Sequence, residues 1–275
     1  MPELPEVECT RLSLEPYLPG MRLCALDVRA AQLREPVDEP ALRRWLLGQT
    51  VQGLRRRAKY LLIDFSGGGV LLLHLGMSGR LRLLPAHTPW RKHVHLAFDF
   101  GAAGQLRFED PRRFGMVQAF AASAEAEHRR LCQLGIEPLS PACTGAWLYQ
   151  ATRGRRRPIK NWLMDSHQIV GVGNIYACES LFRAGINPRA HATVLSRPRC
   201  TRLALAIQTV LREAIQLGGT TLRDFHNAQG EQGWFRLDLA TYGRKDEPCP
   251  RCQRPIRCIR LQGRSTYFCP HCQPA

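Results

Sequence analysis

Pro2 and Glu3 stand next to each other at the head of the chain, and that adjacency could do chemistry. Removal of Met1 would leave Pro2 with a secondary α-amine. An α-amine titrates near pH ~8 and so is partly unprotonated at neutral pH, a state that a lysine reaches only with burial or a neighbouring charge. A secondary amine that condenses with an aldehyde-level carbon gives a fixed cationic iminium, which draws electrons from the adjacent C–H bond without first being protonated. Glu3 is placed to give and take protons in such a reaction. The same run also reads as a simple helix start, because Pro5 suits a first helical position and Glu6 and Glu8 complement the positive end of a helix.

The far end of the chain carries a different chemistry. Cys249-Pro-Arg-Cys252 and Cys269-Pro-His-Cys272 are two C-x-x-C pairs separated by residues 253–268. Two residues between paired cysteines let both sulfurs reach one tetrahedral ion, so the spacing predicts a four-thiolate zinc hairpin with Gly263 as its tip. Cys258 and His271 lie in the same segment without that spacing. The other cysteines, Cys9, Cys24, Cys132, Cys143, Cys178, Cys200 and Cys258, are scattered and odd in number, which argues against a disulfide framework.

Charge narrows the partner. The chain holds 39 Lys plus Arg against 23 Asp plus Glu, a net charge of +16, which suits a protein that binds a polyanion such as nucleic acid. The basic residues cluster as Arg55-Arg56-Arg57, Arg112-Arg113, Arg153 with Arg155-Arg156-Arg157, and along the zinc hairpin. None of these forms a basic amphipathic helix, so a membrane surface is not the expected partner. No stretch has the length of a transmembrane helix, and the acidic N-terminus lacks the features of a signal peptide, so a reducing cytoplasm is expected.

The elements that must hold these groups divide the chain in two. A helix is expected from Pro5 to Leu18, ended by Pro19-Gly20. Strand patterns follow to about Phe120, with Tyr60–Phe65 and Val70–Leu75 flanking 66–69, and His93–Phe98 and Gln105–Phe108 flanking 101–104. Two Gly-rich hairpins suggest an antiparallel sandwich. A connector rich in breakers runs over about 132–144, and beyond it the period becomes helical over Ile159–Ser166, Asn174–Arg183 and Thr201–Leu217. The turn Val170-Gly171-Val172-Gly173-Asn174 reads either as a phosphate-binding helix entry or as a tight turn between helices.

In order along the whole chain, Met1-Pro2-Glu3-Leu4-Pro5-Glu6, Arg57-Ala58-Lys59-Tyr60, His74 to Gly79, Asp110 to Gly115, Val170 to Tyr176, Gly218 to Leu222 and the zinc hairpin resemble the formamidopyrimidine-DNA glycosylases, a bacterial family that repairs oxidised purines. The resemblance implies an α+β fold: a helix-flanked antiparallel β-sandwich at 1–131, a hinge at 132–143, a helix-two-turn-helix domain at 144–244 with a lesion lid at about 218–237, and a four-Cys zinc-finger β-hairpin at 245–275. It implies one structural Zn²⁺ on Cys249, Cys252, Cys269 and Cys272. The implied partner is double-stranded DNA containing oxidised bases or abasic sites, engaged by a monomer in the bacterial cytoplasm at the nucleoid, with no membrane.

The same resemblance assigns roles. Pro2 would attack C1′ of the damaged nucleotide, the base would leave, and β- then δ-elimination would cut the strand on both sides of the sugar. Glu3 would be the general acid/base and Glu6 a partner of the N-terminal amine. Lys59 looks like the family's phosphate- and lesion-contacting lysine. Asn174 and Arg264 would grip phosphates flanking the flipped nucleotide, and His74 would face the DNA unless it is simply a solvated imidazole. Met77, Arg112 and Phe114 would fill the vacated stack and engage the orphaned base, the competing reading being core packing for Met77 and Phe114. Leu4 and the full-length lid segment favour purine lesions over the pyrimidines preferred by the related endonuclease VIII group. A zinc-containing protein that binds lesions without cutting is the reading from another class.

Overall fold

The computed structural model describes residues 2–218 and 239–275. The expected lid therefore lies, beyond its first residue, outside the described residues. The chain forms two compact units, one of residues up to Cys132 and one of residues 133–217 with 239–275. Among the described residues, no helix is long and apolar enough to cross a membrane.

The first unit opens with α1 (Leu4–Leu14), whose start is a capping box between Glu3 and Glu6 with a proline in the first turn. Expected to reach Leu18, the helix stops earlier because Pro16 has no N–H to continue the ladder and its ring clashes with the preceding turn. Two four-stranded antiparallel sheets follow. One has the order β1 (Ala25–Val28), β6 (Val94–Asp99), β7 (Gln105–Glu109), β5 (Arg80–Leu84). The other has the order β2 (Val51–Arg57), β3 (Tyr60–Phe65), β4 (Gly69–His74), β8 (Met116–Ala121). Leu61, Ile63, Leu71 and Leu73 of the second sheet share one buried cluster with Leu81, Leu83, Leu96, Phe98, Leu106 and Phe108 of the first. Each such side chain contributes roughly 1.5–3 kcal/mol by leaving water, so the pleat and register are held by burial.

β4 is a central strand buried along nearly its whole length. Val70 and Leu72 are buried as fully as Leu71 and Leu73, so the strand is covered on both faces. A helix not anticipated, α2 (Glu39–Leu46), is capped by Asp38, whose carboxylate accepts the Ala41 N–H at 2.9 Å, and it packs on β4 and β8. α1 packs on β2 and β3.

The second unit is helical. α3 (Gly145–Thr152) was not anticipated; it is capped by Thr144 and packs on α6 (Arg197–Gln216), which begins four residues before the expected Thr201 because Ser196 and Pro198 start it. α4 (Ile159–Leu163) and α5 (Asn174–Ala184) are joined by two turns, and α5 ends at Gly185 in the left-handed region (φ 65°). The unit closes with the hairpin β9 (Arg257–Leu261) and β10 (Arg264–Phe268). Its two-residue loop has φ of 45° at Gln262 and 76° at Gly263, the pattern of a type I′ turn, which explains glycine at the tip.

Candidate functional site

At the N-terminus, sequence neighbours become a built local structure. Glu3 and Glu6 are almost fully buried, and the Glu3 backbone N–H donates to Glu6 Oε2 at 2.8 Å. That bond fixes the backbone immediately after Pro2, which remains half-exposed. Cys9, on the same helix, is not a rival nucleophile: burial, reinforced by Glu6 and Glu8, pushes its thiol up to about 12.

Lys59 and His74 are brought together by the β2–β3–β4 meander. Lys59 follows Ala58, held at φ 56° in the turn between β2 and β3, and the next residue, Tyr60, pairs directly with His74. The Tyr60 and His74 rings lie 5.1 Å apart. His74 is therefore not a solvated imidazole. Burial, then the charges of Arg34 and Lys59, push it down to about 4, so it is neutral at physiological pH. The Gly76 N–H donates to His74 Nδ1 at 2.9 Å, which puts the neutral ring's proton on Nε2. The result is an uncharged N–H donor beside two cations, suited to an anionic oxygen.

Met77, Arg112 and Phe114 sit on two loops of the sandwich that meet each other. Met77 is 43% exposed and Phe114 44%, so neither is a core residue. β4 ends at His74, and Met77 lies in the loop beyond buried Leu75. The Arg112 guanidinium lies 4.8 Å from the centre of the Phe114 ring, a cation–π arrangement that keeps both tips together.

In the second unit, Asn174 and the strand headed by Arg264 share one buried cation. Lys160, fully buried, donates to Asn174 Oδ1 (2.5 Å), the Ser265 carbonyl (3.1 Å) and Thr266 Oγ1 (2.7 Å). Asn174 Nδ2 donates to the same Ser265 carbonyl at 3.0 Å. Asn174 opens α5, and Arg264 is exposed beside the hairpin turn. Glu179, buried on α5, accepts the N–H groups of Ala240, Thr241 and Tyr242 at 2.8, 2.9 and 2.8 Å, which fixes Tyr242 beside Asn174. Sequence reading missed both Lys160 and Glu179. The available signal was a charge within the helix among apolar residues: Lys160 is the only one in α4, and Glu179 lies one turn before Arg183 in α5.

The four thiolates expected to bind zinc converge. The sulfurs of Cys249, Cys252, Cys269 and Cys272 all lie within 4.8 Å of one another, with Cys249–Cys272 at 3.8 Å and Cys252–Cys269 at 3.5 Å. Tetrahedral ligands at a Zn–S distance of ~2.3 Å sit roughly 3.8 Å apart, so the donor set and the cradle fit one structural zinc ion. The Arg251 and Cys272 N–H groups point at Cys249 and Cys269 sulfurs, each at 3.4 Å, as expected of thiolates stabilised by backbone. Gln273, also buried, joins the knuckle to the chain after α5 through the Ile186 carbonyl (2.8 Å) and Asn187 Nδ2 (2.9 Å).

One basic run is largely paired within its own unit. Arg55 is held by Asp64 and Glu125, and Arg56 by Glu8 at 3.0 Å, so two of the three arginines of that run serve the sandwich itself. The carboxylates raise the Arg55 guanidinium still further above its ordinary range.

Fold and site together define a zinc-clipped protein of the helix-two-turn-helix kind with Pro2 and Glu3 leading into a β-sandwich. Comparison with known proteins extends this. The formamidopyrimidine-DNA glycosylase N-terminal domain matches residues 1–117, the H2TH domain of the same proteins matches residues 134–226, and a zinc finger found in FPG and IleRS matches residues 246–275. The formamidopyrimidine-DNA glycosylase of Acidithiobacillus ferrooxidans (strain ATCC 53993 / BNL-5-31) is 50% identical over 274 residues, covering 99% of this chain and 100% of its own. That of Geotalea uraniireducens is 48% identical over 273 residues, covering 99% and 100%. Among solved structures, the MutM (Fpg) protein of Thermus thermophilus superposes with a TM-score of 0.87 at 39% identity, over 99% of this chain and 98% of that one. Lactococcus lactis Fpg, in complex with DNA containing N7-benzyl-Fapy-dG, gives a TM-score of 0.90 at 32% identity over the full length of both. The chain belongs to the formamidopyrimidine-DNA glycosylase family.

Proposed function

We propose that this DNA glycosylase removes oxidised purines, 8-oxoguanine and formamidopyrimidines, from duplex DNA and nicks the strand through an iminium on Pro2. The observation that carries the reading is the built N-terminus: Pro2 half-exposed, followed by buried Glu3 whose backbone is fixed by Glu6. The Pro2 nitrogen adds to C1′ as the glycosidic bond breaks, and Glu3 moves protons to and from the opening sugar. The cationic iminium then makes the C2′ proton acidic, so β-elimination expels the 3′ phosphate and δ-elimination the 5′ phosphate.

The remaining residues bind and orient. Lys59 and neutral His74 hold backbone phosphate in the first unit, while Asn174 and Arg264 hold phosphates flanking the everted nucleotide from the second. Lys160 keeps those two in register. Met77, Arg112 and Phe114 occupy the space left in the stack, and Arg112 meets the base opposite. When bound, zinc supplies rigidity to the hairpin that presents Arg264. Lactococcus lactis Fpg has also been solved with abasic-site DNA, which supports the same substrate class here. The test is borohydride trapping with 8-oxoguanine and abasic duplexes: a covalent adduct through the N-terminal residue is expected, and binding without any adduct would leave only a lesion-binding protein.

A further inference from the structure

The side chains proposed to fill the vacated stack are carried by two loops, 75–79 between β4 and β5 and 110–115 between β7 and β8. Resting on that reading, we infer that Ser78 and Asp110 are positioning residues that couple the two loops, so that Met77, Arg112 and Phe114 act as one wedge. Asp110 is completely buried. Its Oδ1 accepts the Ser78 hydroxyl at 2.5 Å, and its Oδ2 accepts the Gly115 N–H at 2.7 Å. Ser78 Oγ in turn accepts the Arg112 N–H at 3.1 Å. The hydroxyl therefore gives its proton to the base of one loop and takes a proton from the residue bearing the guanidinium. Hydrogen bonds to a carboxylate are the stronger kind, which makes this a stiff joint.

The backbones beneath it interlock. Gly76 has φ 62°, and a Cβ there would lie 2.4 Å from the Phe114 carbonyl carbon, so the Met77 loop rests directly on the Phe114 backbone. A Cβ on Gly115 would lie 2.5 Å from the Phe108 ring and 3.0 Å from Asp110 Oδ2. Asp110 is itself anchored on both sides by His93 and His95: its N–H donates to the His93 carbonyl at 2.9 Å, and its carbonyl meets His95 Nε2 at 2.8 Å. Neither loop can shift its tip without disturbing the Ser78 bridge.

The experiment is a cycle with Ser78→Ala, Phe114→Ala and their combination. It reads excision of 8-oxoguanine opposite each base in duplex DNA, trapping on single-stranded abasic DNA, and melting temperature. Losing the bridge should slow duplex excision by about tenfold and flatten the opposite-base preference, with single-strand trapping within about twofold. In the Phe114→Ala background the further loss should shrink to about twofold or less. Ser78→Thr, which retains a hydroxyl, should keep the preference. An equal loss with and without Phe114, or a drop in melting temperature with excision and base preference intact, overturns the coupling. A wild-type protein that traps no abasic DNA sinks the glycosylase reading instead, which keeps the two failures apart.

Discussion

The ammonium of Lys160 lies 2.5 Å from Asn174 Oδ1 and 2.7 Å from Thr266 Oγ1, so a single buried cation joins the first residue of α5 to the zinc hairpin. The two groups proposed to hold phosphate in this unit are thereby set relative to each other by a residue that need not touch DNA.

Lys160→Met should therefore act on both stability and binding. It removes the donor to Asn174 Oδ1 and Thr266 Oγ1, each costing about 1–3 kcal/mol when left unmet, while the Ser265 carbonyl keeps Asn174 Nδ2, so the net loss should be roughly 3 kcal/mol. Affinity for abasic duplex should fall at least about tenfold while zinc content stays at one per chain. Unchanged affinity in a variant that melts earlier would make Lys160 a stability residue alone.

Blocking the amine tests the chemistry. A retained Met1 or a tag before Pro2 should abolish borohydride trapping and strand cleavage, with affinity within about tenfold because phosphate contacts lie elsewhere. Glu3→Gln should lose excision of intact lesions and keep some cleavage at preformed abasic sites, where the aldehyde is already exposed. Trapping at full strength by the blocked protein would move the nucleophile to a lysine.

His74 sets a pH dependence whose sign is fixed by its environment. Its folded pKa, about 4, lies below the ordinary 6.5, so the unfolded chain binds the extra proton between those values. Its contribution is complete above pH ~6.5 and is lost as pH falls toward ~4, up to roughly 3 kcal/mol by the end of that window. Denaturant melts at pH 7.5 and 5.0 should show a steeper acid loss for the wild type than for His74→Gln. Parallel losses would mean that the imidazole is not held neutral.

Metal removal should disable one unit selectively. The hairpin is too small to fold on its own core, so chelation or Cys249→Ser should disorder β9 and β10 and release Arg264. DNA affinity should fall sharply, while the sandwich should keep its melting transition. Full zinc content in Cys269→Ser would refute the four-thiolate site.

Phe114→Ala should slow lesion excision in duplex DNA by the equivalent of a few kcal/mol of unstacking and leave trapping on single-stranded abasic DNA nearly intact. Arg112→Ala should instead flatten the preference among opposite bases, expected to favour cytosine. At 44% exposure, Phe114 should contribute little to melting temperature. A variant that mainly melted earlier, with excision per folded molecule unchanged, would return Phe114 to the core.

What could be read from the chain follows how local each signal is. The paired cysteines, the glycine-tipped hairpin and the proline before a glutamate are written in spacings of a few residues, and two Gly-rich hairpins pointed to the sandwich. Helix ends were less legible: α1 stops at Leu14, ahead of Pro16, and α3 carried no strong period. Lys160 was invisible because its partner Ser265 is 105 residues away, and Ser78 and Asp110, 32 residues apart, gain meaning only where two loops meet.

The pairing of Arg55 with Asp64 and Glu125, and of Arg56 with Glu8, occupies two of the 39 Lys plus Arg with carboxylates that the net charge of +16 already subtracts. Counterions leave DNA only where a cation displaces them at a phosphate, so arginines already neutralised within the sandwich add nothing to that release. The slope of log affinity against log salt should accordingly count the cations that meet phosphate, Lys59 and Arg264 among those proposed, and not Arg55 or Arg56. The salt dependence of binding is then set by where the cations stand rather than by how many the chain holds.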